Sequence, residues 1–377
     1  MNRLYRPIHL WLLTGLILFL IPPGWVSAWA WQYGLRWAFV LAIALFMTSL
    51  FTPLCIHYAF RLNVLDIPND RKMHSHPIPR MGGLAIYLAL LLTTVRNFQF
   101  SREVSGLMAA VTVIFVVSLI DDIRGLSAFS RLAAQLVAAG ILLSSGVRIN
   151  FIPAMPGEAL IEMAITVVWL VGITNAFNFL DGVDGLAGGM GVVCASLFFV
   201  IAWETRQSYI SYFMAALTGG CLGFLPYNWR PARIFLGDSG STLIGFSLAG
   251  LAVIGTWADN NPVVALSTPL LILSIPIFDM IYTTVSRIKN DQVHNVREWL
   301  EFTGKDHFHH RLMHLGLDEK RTVGFILIVN LCLGLGAVVI RNTANPLGAG
   351  LLLFQAVLIF IMIVILMLLG RQTSSSS

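Results

Sequence analysis

Asp121 and Asp122 close the apolar run VIFVVSLIDD, and acids recur as Asp181 and Asp184 in NFLDGVDGLAGG and as Asp238 in FLGDSGS. Adjacent ionised carboxylates repel one another and gain nothing from lipid, so a pair kept at a membrane surface needs a cation, a proton or a hydrogen-bond network. Alone, the pair is also compatible with two solvated acids capping a helix end. Acids at several run ends point instead to a metal-dependent site. Mg2+ is the expected ion, because it takes one or two carboxylates and completes its shell with substrate phosphate oxygens. Mn2+ is the alternative. Asp238 stands beside phosphate donors and is the expected oxygen ligand.

The residues around the acids fit the same chemistry. Asn175 and Asn178 are three apart, as are Asp181 and Asp184, so each pair can share a helical face. Five glycines between Gly182 and Gly191 let backbone approach a ligand closely. The twelve-residue calcium-loop pattern is absent. The loop RLNVLDIPNDRKMHSHPIPRMGG gathers Arg71, Lys72, His74, His76 and Arg80, a donor set suited to phosphate oxygens or to anionic lipid. In NWRPARIFLGDSGS, Asn228, Arg230, Arg233 and Phe235 precede Asp238. A serine-hydrolase reading of GDSG lacks a histidine–acid partner in a strand–turn–helix setting. His307, His309, His310 and Arg311 in KDHFHHRLMHLG suit a diphosphate, since no cysteine or carboxylate stands at zinc spacing. Asp279, inside the run SIPIFDMIYTTVSR, is a candidate because ionisable groups are costly there.

The elements that must position these residues are membrane helices. The chain is 57% hydrophobic and 11% charged, whereas soluble domains carry about a quarter charged residues. Lipid forces backbone groups to pair internally, and the long continuous runs exclude the short alternating segments of a barrel. The expected class is an all-α polytopic membrane protein. Runs fall near 8–27, 35–60, 82–100, 104–120, 129–147, 158–177, 186–203, 209–226, 240–257, 263–286, 322–340 and 346–369. This gives about twelve helices, or eleven if the first is removed. Residues 1–34 form an additional N-terminal segment, and residues 1–30 also fit a signal peptide. Residues 35–370 form the multi-span domain, and 371–377 a disordered tail. Alternating sides places 61–81, 121–131, 178–186, 227–240 and 287–321 together. Their arginines and lysines make that side cytoplasmic, and every polar motif lands on it. The formal net charge of +5 therefore reports basic loops and not nucleic-acid binding. Cys55, Cys194, Cys221 and Cys332 lie in apolar runs and form no disulfide or zinc framework.

Together, DIPNDRKMHSHPIPRMGG, SLIDDIRGLSAFSR, NAFNFLDGVDGLAGG, NWRPARIFLGDSGS and HFHHRLMHLG resemble, in order, the polyprenyl-phosphate N-acetylhexosamine-1-phosphate transferases. The match runs from about residue 50 to 320. It looks closest to the undecaprenyl-phosphate N-acetylglucosamine-1-phosphate transferases that start O-antigen, enterobacterial common antigen or teichoic acid synthesis. The phospho-MurNAc-pentapeptide translocases share the fold, but their HLKKxGTPTMGG and HHHFE loops are missing. The resemblance implies that Asp238 is the magnesium aspartate and that Asp121 and Asp122 lie beside metal and lipid phosphate, Asp122 as a second metal residue. Asn178, Asp181 and Asp184 match the Asn and two Asp of the NxxDGxDG motif. Gly182, Val183 and Asp184 would line the uracil pocket, with Phe235 stacking on the base and Asn228 nearby. His307, His309, His310 and Arg311 would meet diphosphate and sugar. Lys72 and Arg131 stand where the family places basic side chains.

The implied reaction joins a UDP-N-acetylhexosamine to undecaprenyl phosphate and releases UMP. Direct in-line attack with Asp121 as base is the favoured route, and an aspartyl-phosphate intermediate the alternative. A homodimer is left open. A rival reading is a secondary transporter using the acids for protons or cations, but such sites lie near the bilayer midplane, often between inverted repeats. A CDP-alcohol phosphotransferase would need DGxxAR, which is missing.

Overall fold

The computed structural model describes residues 34–68, 76–97, 101–152, 155–258, 261–295, 298, 299, 302, 304, 306–343 and 345–374. The apolar run at 8–27, its signal-peptide alternative and Lys72 lie outside the described residues. The described residues form thirteen helices and one antiparallel pair of short strands, with their connections. In chain order they are α1 (Arg36–Leu62), β1 (Leu65–Asp66), β2 (Ile78–Pro79), α2 (Gly82–Asn97), α3 (Arg102–Arg124), α4 (Ala128–Ser144), α5 (Glu158–Leu180) and α6 (Leu186–Glu204). There follow α7 (Ser208–Asn228), α8 (Gly237–Ile254), α9 (Pro262–Ile272), α10 (Ser274–Lys289), α11 (Phe308–His314), α12 (Glu319–Thr343) and α13 (Pro346–Ser374). The last helix extends into the segment that composition reads as a disordered tail.

Eight of these helices are long and apolar enough to cross a membrane, and α2 and α4 are shorter apolar helices. Every apolar run expected beyond residue 34 is therefore helical, and the chain is a multi-pass, all-α membrane protein. α8 is the hub, with 83% of its apolar window buried, packed among α2, α3, α5 and α6. Small residues allow that crowding. A Cβ on Gly83 would come within 2.6 Å of the Gly240 Cα, so α2 and α8 cross at backbone contact.

The run at 263–286 is not one straight helix. It breaks between α9 and α10 with a bend of 76°. Pro276 cannot donate the hydrogen bond that would carry the helix across Ile272. Asn330 of α12 repairs the gap: its Nδ2 donates to the Ile272 carbonyl at 3.1 Å, and its Oδ1 accepts the Ile275 N–H at 3.4 Å. A broken helix within a membrane requires such internal repair.

Candidate active site

The acid motifs meet where α3 and α5 end and α8 begins. The loop before α2 is drawn to the same place by backbone pairing. Phe235 N–H donates to Pro79 O at 2.8 Å, and the Gly82 and Gly83 N–H groups donate to Phe235 O and Leu236 O at 3.0 and 2.8 Å. The strand pairing of Leu65 with Pro79 and Asp66 with Ile78 holds this segment from behind. Arg80 is thereby placed 3.6 Å from Asp122 and 3.8 Å from Asp66. Burial works against its charge, but Asp122, Asp238, Asp66 and Asp181 outweigh that and raise its pKa further.

Asp122 is fully shielded from solvent and caps α8 from another helix. Its two oxygens accept the N–H groups of Asp238 and Ser239 at 2.9 and 3.0 Å. A carboxylate at the positive end of a helix dipole is stabilised there. Gly237 makes the cap possible: its φ is +76°, and a Cβ would lie 2.7 Å from Asp122 Oδ2. Asp121 faces the other way. Its Oδ1 accepts the Leu126 N–H, and its Oδ2 lies 3.5 Å from Arg131 Nη1. The same Arg131 nitrogen lies 3.6 Å from Asp238 Oδ2, so one guanidinium bridges two motifs.

Asp238 keeps a quarter of its side chain exposed, and its Oδ1 accepts from Asn178 Nδ2 at 2.8 Å. That leaves an oriented, reachable oxygen donor. Among the described residues no group of three or more His, Cys, Asp or Glu side chains is arranged to hold a metal alone. The Asp238 carboxylate would fit a cation that takes one or two carboxylates and draws its remaining oxygens from substrate and water, as Mg2+ does. Asp181 stands at the end of α5. Desolvation, and then the charges of Asp238 and Asp122, push its carboxyl well above the usual carboxylate range. A cavity of about 40 Å3 opens beside Asp238, Asn178 and Arg131 and reaches Gln135 and Asn175. Those two amides bond reciprocally, Asn175 Nδ2 to Gln135 Oε1 at 2.8 Å and Gln135 Nε2 to Asn175 Oδ1 at 3.3 Å.

The turn at Gly182, Val183 and Asp184 lies alongside, Val183 buried and Gly182 exposed. Asn228 fixes this turn: its Oδ1 accepts Gly185 N–H at 3.0 Å and its Nδ2 donates to Ile234 O at 3.0 Å. Both ends of its amide are thus used within the protein. Asp184 accepts the Ala232 N–H at 3.1 Å and lies 3.6 Å from Arg230. Phe235 is half-buried between the paired loop and Asp238's helix.

The histidine segment reaches the same turn. His309 is fully buried, and neither ring nitrogen has a hydrogen-bond partner within the protein. Burial pushes its pKa down to about 3, so the ring is neutral at pH 7. Its Nε2 would sit 2.8 Å from a Cβ at Gly182. His310 packs beside it, with ring centroids 4.3 Å apart. His307 and Arg311 are engaged by the protein itself. His307 lies 3.0 Å from Asp279 and 3.2 Å from Arg287, and Arg311 donates to Asp306 O at 2.8 Å and Ser286 Oγ at 3.0 Å. Burial opposes the charge of Asp306, but hydrogen bonds and charge from Arg287 hold its carboxyl below the usual range.

Arg71, Lys72 and His74 lie outside the described residues; the structure brings the other expected site residues to this end of the bundle. Three members were not singled out from sequence. Arg80 was visible only as part of a basic patch. Gln135 carried one signal, a polar side chain inside an apolar run. Arg287 looked like an ordinary basic helix end.

Comparison with known proteins places the chain in a family. The family model described as glycosyl transferase family 4 matches residues 104–256, which hold Asp121, Asp122, Asp181, Asp184 and Asp238. A Bacillus subtilis protein named "Probable undecaprenyl-phosphate N-acetylglucosaminyl 1-phosphate transferase" is 31% identical over 337 residues, covering 88% of this chain and 90% of its own. A Mycobacterium leprae decaprenyl-phosphate N-acetylglucosaminephosphotransferase is 33% identical, covering 83% and 86%. The Escherichia coli undecaprenyl-phosphate alpha-N-acetylglucosaminyl 1-phosphate transferase is 27% identical, covering 77% and 79%. With acids, turn and helix cap in place and similarity along most of its length, the chain belongs to the polyprenyl-phosphate N-acetylhexosamine-1-phosphate transferases of glycosyl transferase family 4.

Proposed function

We propose that this protein transfers N-acetylglucosamine 1-phosphate from UDP-N-acetylglucosamine to undecaprenyl phosphate, releasing UMP, at the cytoplasmic face of a bacterial inner membrane. The observation that carries this reading is the convergence of Asp121, Asn178 and Asp238 with Arg131 at the N-terminus of α8, at one end of the helical bundle. The relatives' names supply the sugar and the lipid. The basic residues Arg61, Arg80, Arg124, Arg230, Arg233 and Lys289 crowd the same end, which supports a cytoplasmic orientation.

A lipid phosphate with a second pKa near 6 is largely dianionic at pH 7, so its oxygen can attack without the help of a general base. A new bond forms between that oxygen and the sugar-linked phosphorus. The bond from that phosphorus to UMP breaks, and UMP leaves with the electron pair. Catalysis of such a transfer is mainly alignment and charge neutralisation. Arg131, at the mouth of the cavity, positions the lipid phosphate, and Asp121 accepts any remaining proton. The Asn178 amide orients Asp238, the residue best placed to hold Mg2+, while Asp122 fixes the helix end that carries it. Bound there, Mg2+ would offset charge developing on the diphosphate. The Gly182 turn, walled by Asn228 and Phe235, receives the uridine, and His309 and His310 lie towards the sugar diphosphate.

The test is UMP release by purified protein given undecaprenyl phosphate, Mg2+ and a panel of UDP-sugars. UDP-N-acetylglucosamine should be the preferred donor, and EDTA should abolish turnover. Asp238→Ala should lower kcat by about 100-fold or more, the scale of losing a principal electrostatic group. Activity that survives both EDTA and Asp238→Ala would remove the metal assignment.

A further inference from the structure

α11 is seven residues long, too short to hold its place by its own hydrogen bonds. It is fixed by a chain of buried charges reaching across from α10. Asp279 is fully buried, with its Oδ1 accepting the Phe308 N–H at 2.7 Å and its Oδ2 lying 3.0 Å from His307 Nδ1. On the far side of the ring, His307 Nε2 lies 3.2 Å from Arg287 Nη2. A guanidinium can only donate, so Nε2 must be the acceptor there. The ring proton is then on Nδ1, donated to Asp279. Arg287 cannot turn away, because Asp306 grips it with a two-bond fork at 2.8 and 2.9 Å. Phe179 closes the ring's remaining approach, its centroid 5.2 Å away.

His307 is thus satisfied on both nitrogens, whereas its neighbour His309 is buried with both nitrogens unpartnered against Gly182. The first histidine is the anchor and the second is left for the ligand. We propose that Asp279 is a positioning residue for the sugar-nucleotide half of the site: by holding His307 in its Nδ1–H form it seats His309 and His310 against the Gly182 turn. The proposal rests on the transferase reading. Asp279 itself meets no substrate.

Asp279→Asn separates this role from bulk stability, because it keeps the side chain's size. One end of the new amide must still accept from Phe308 N–H, so its NH2 faces His307 Nδ1. The ring must then move its proton to Nε2, where it opposes Arg287. In full-length protein, the KM for UDP-N-acetylglucosamine should rise by about 10–100-fold, the scale for displaced binding groups. The KM for undecaprenyl phosphate should stay within about twofold. Nitrogen NMR of 15N-histidine-labelled protein, with His307 identified by its loss in His307→Gln, should show Nδ1–H in the parent and Nε2–H in the variant.

Equal loss of active protein with both KM values unchanged would reduce Asp279 to a structural role and overturn the proposal. Parent-like kinetics in Asp279→Asn, or an Nε2–H ring in the parent protein, would also overturn it. Should Asp279→Asn fail to fold, Asp306→Asn takes its place, since the Asp306 fork at 2.8 and 2.9 Å holds Arg287 against His307 Nε2. It should raise the same KM by about threefold, and no change would count against the proposal. If the parent protein releases no UMP from any UDP-sugar, the transferase reading fails, while the histidine spectra still decide whether Asp279 sets the ring's proton.

Discussion

Asp121 and Asp122 are neighbours on α3, but the helix turns them to different surroundings. Asp122 meets two backbone N–H groups and no solvent, whereas Asp121 shares Arg131 with Asp238. Their substitutions should therefore part company. Asp122→Asn leaves one helix-end N–H facing an amide donor or a weakened acceptor, a cost of about 1–3 kcal/mol, and should lower the thermal unfolding midpoint. Asp121→Asn should leave that midpoint nearly unchanged and act on turnover alone. If both variants melt together, the assigned division is wrong. The pair was conspicuous in sequence because adjacent carboxylates at the end of an apolar run have few ordinary uses. Its division of labour was hidden, since the cap joins residues 116 positions apart. The histidine cluster was equally visible as a group, but the anchor within it was not. His307 is distinguished from His309 only by Asp279 and Arg287, which a different helix supplies.

At the level of elements, hydropathy located the helices because lipid leaves the backbone no alternative. It could not reveal the bend between α9 and α10. Pro276 was a warning, but prolines also occur inside α1 and α7, which remain single helices. What makes the break tolerable is Asn330, a polar residue in the apolar middle of α12 that sequence gives no reason to pair with Ile272. Asn330→Leu should strand the Ile275 N–H in an apolar surround and leave the Ile272 carbonyl only the weak Cys194 thiol donor at 3.3 Å. A stability loss of about 1–3 kcal/mol is expected, read as earlier thermal aggregation in detergent. An unchanged curve would mean that the bend is held by packing alone. The bend also matters to the site, because it sets the direction in which α10 presents Asp279 and Arg287.

At the scale of the whole molecule, the acid end and the opposite end are tied separately. Gln207 bonds to Thr256 at both ends of its amide, 2.8 Å each, linking the loops remote from the acids. Orientation can be read by cysteine labelling after Cys332, the one exposed cysteine among the described residues, is replaced by serine. Asn290→Cys should resist a membrane-impermeant maleimide added outside intact spheroplasts, and Ser208→Cys should react. The reverse pattern would turn the protein over in the membrane. The cap on α8 has a last consequence, for the order of manufacture. Ribosomes add about 5–20 residues per second, so Asp122 leaves the peptidyl-transferase centre roughly ten seconds before its partner Asp238 is made. Until α8 is inserted, the nascent chain carries Asp122 with no helix end to cap and lacks Asp238. Activity therefore cannot precede α8, and a chain released before that point would be inert.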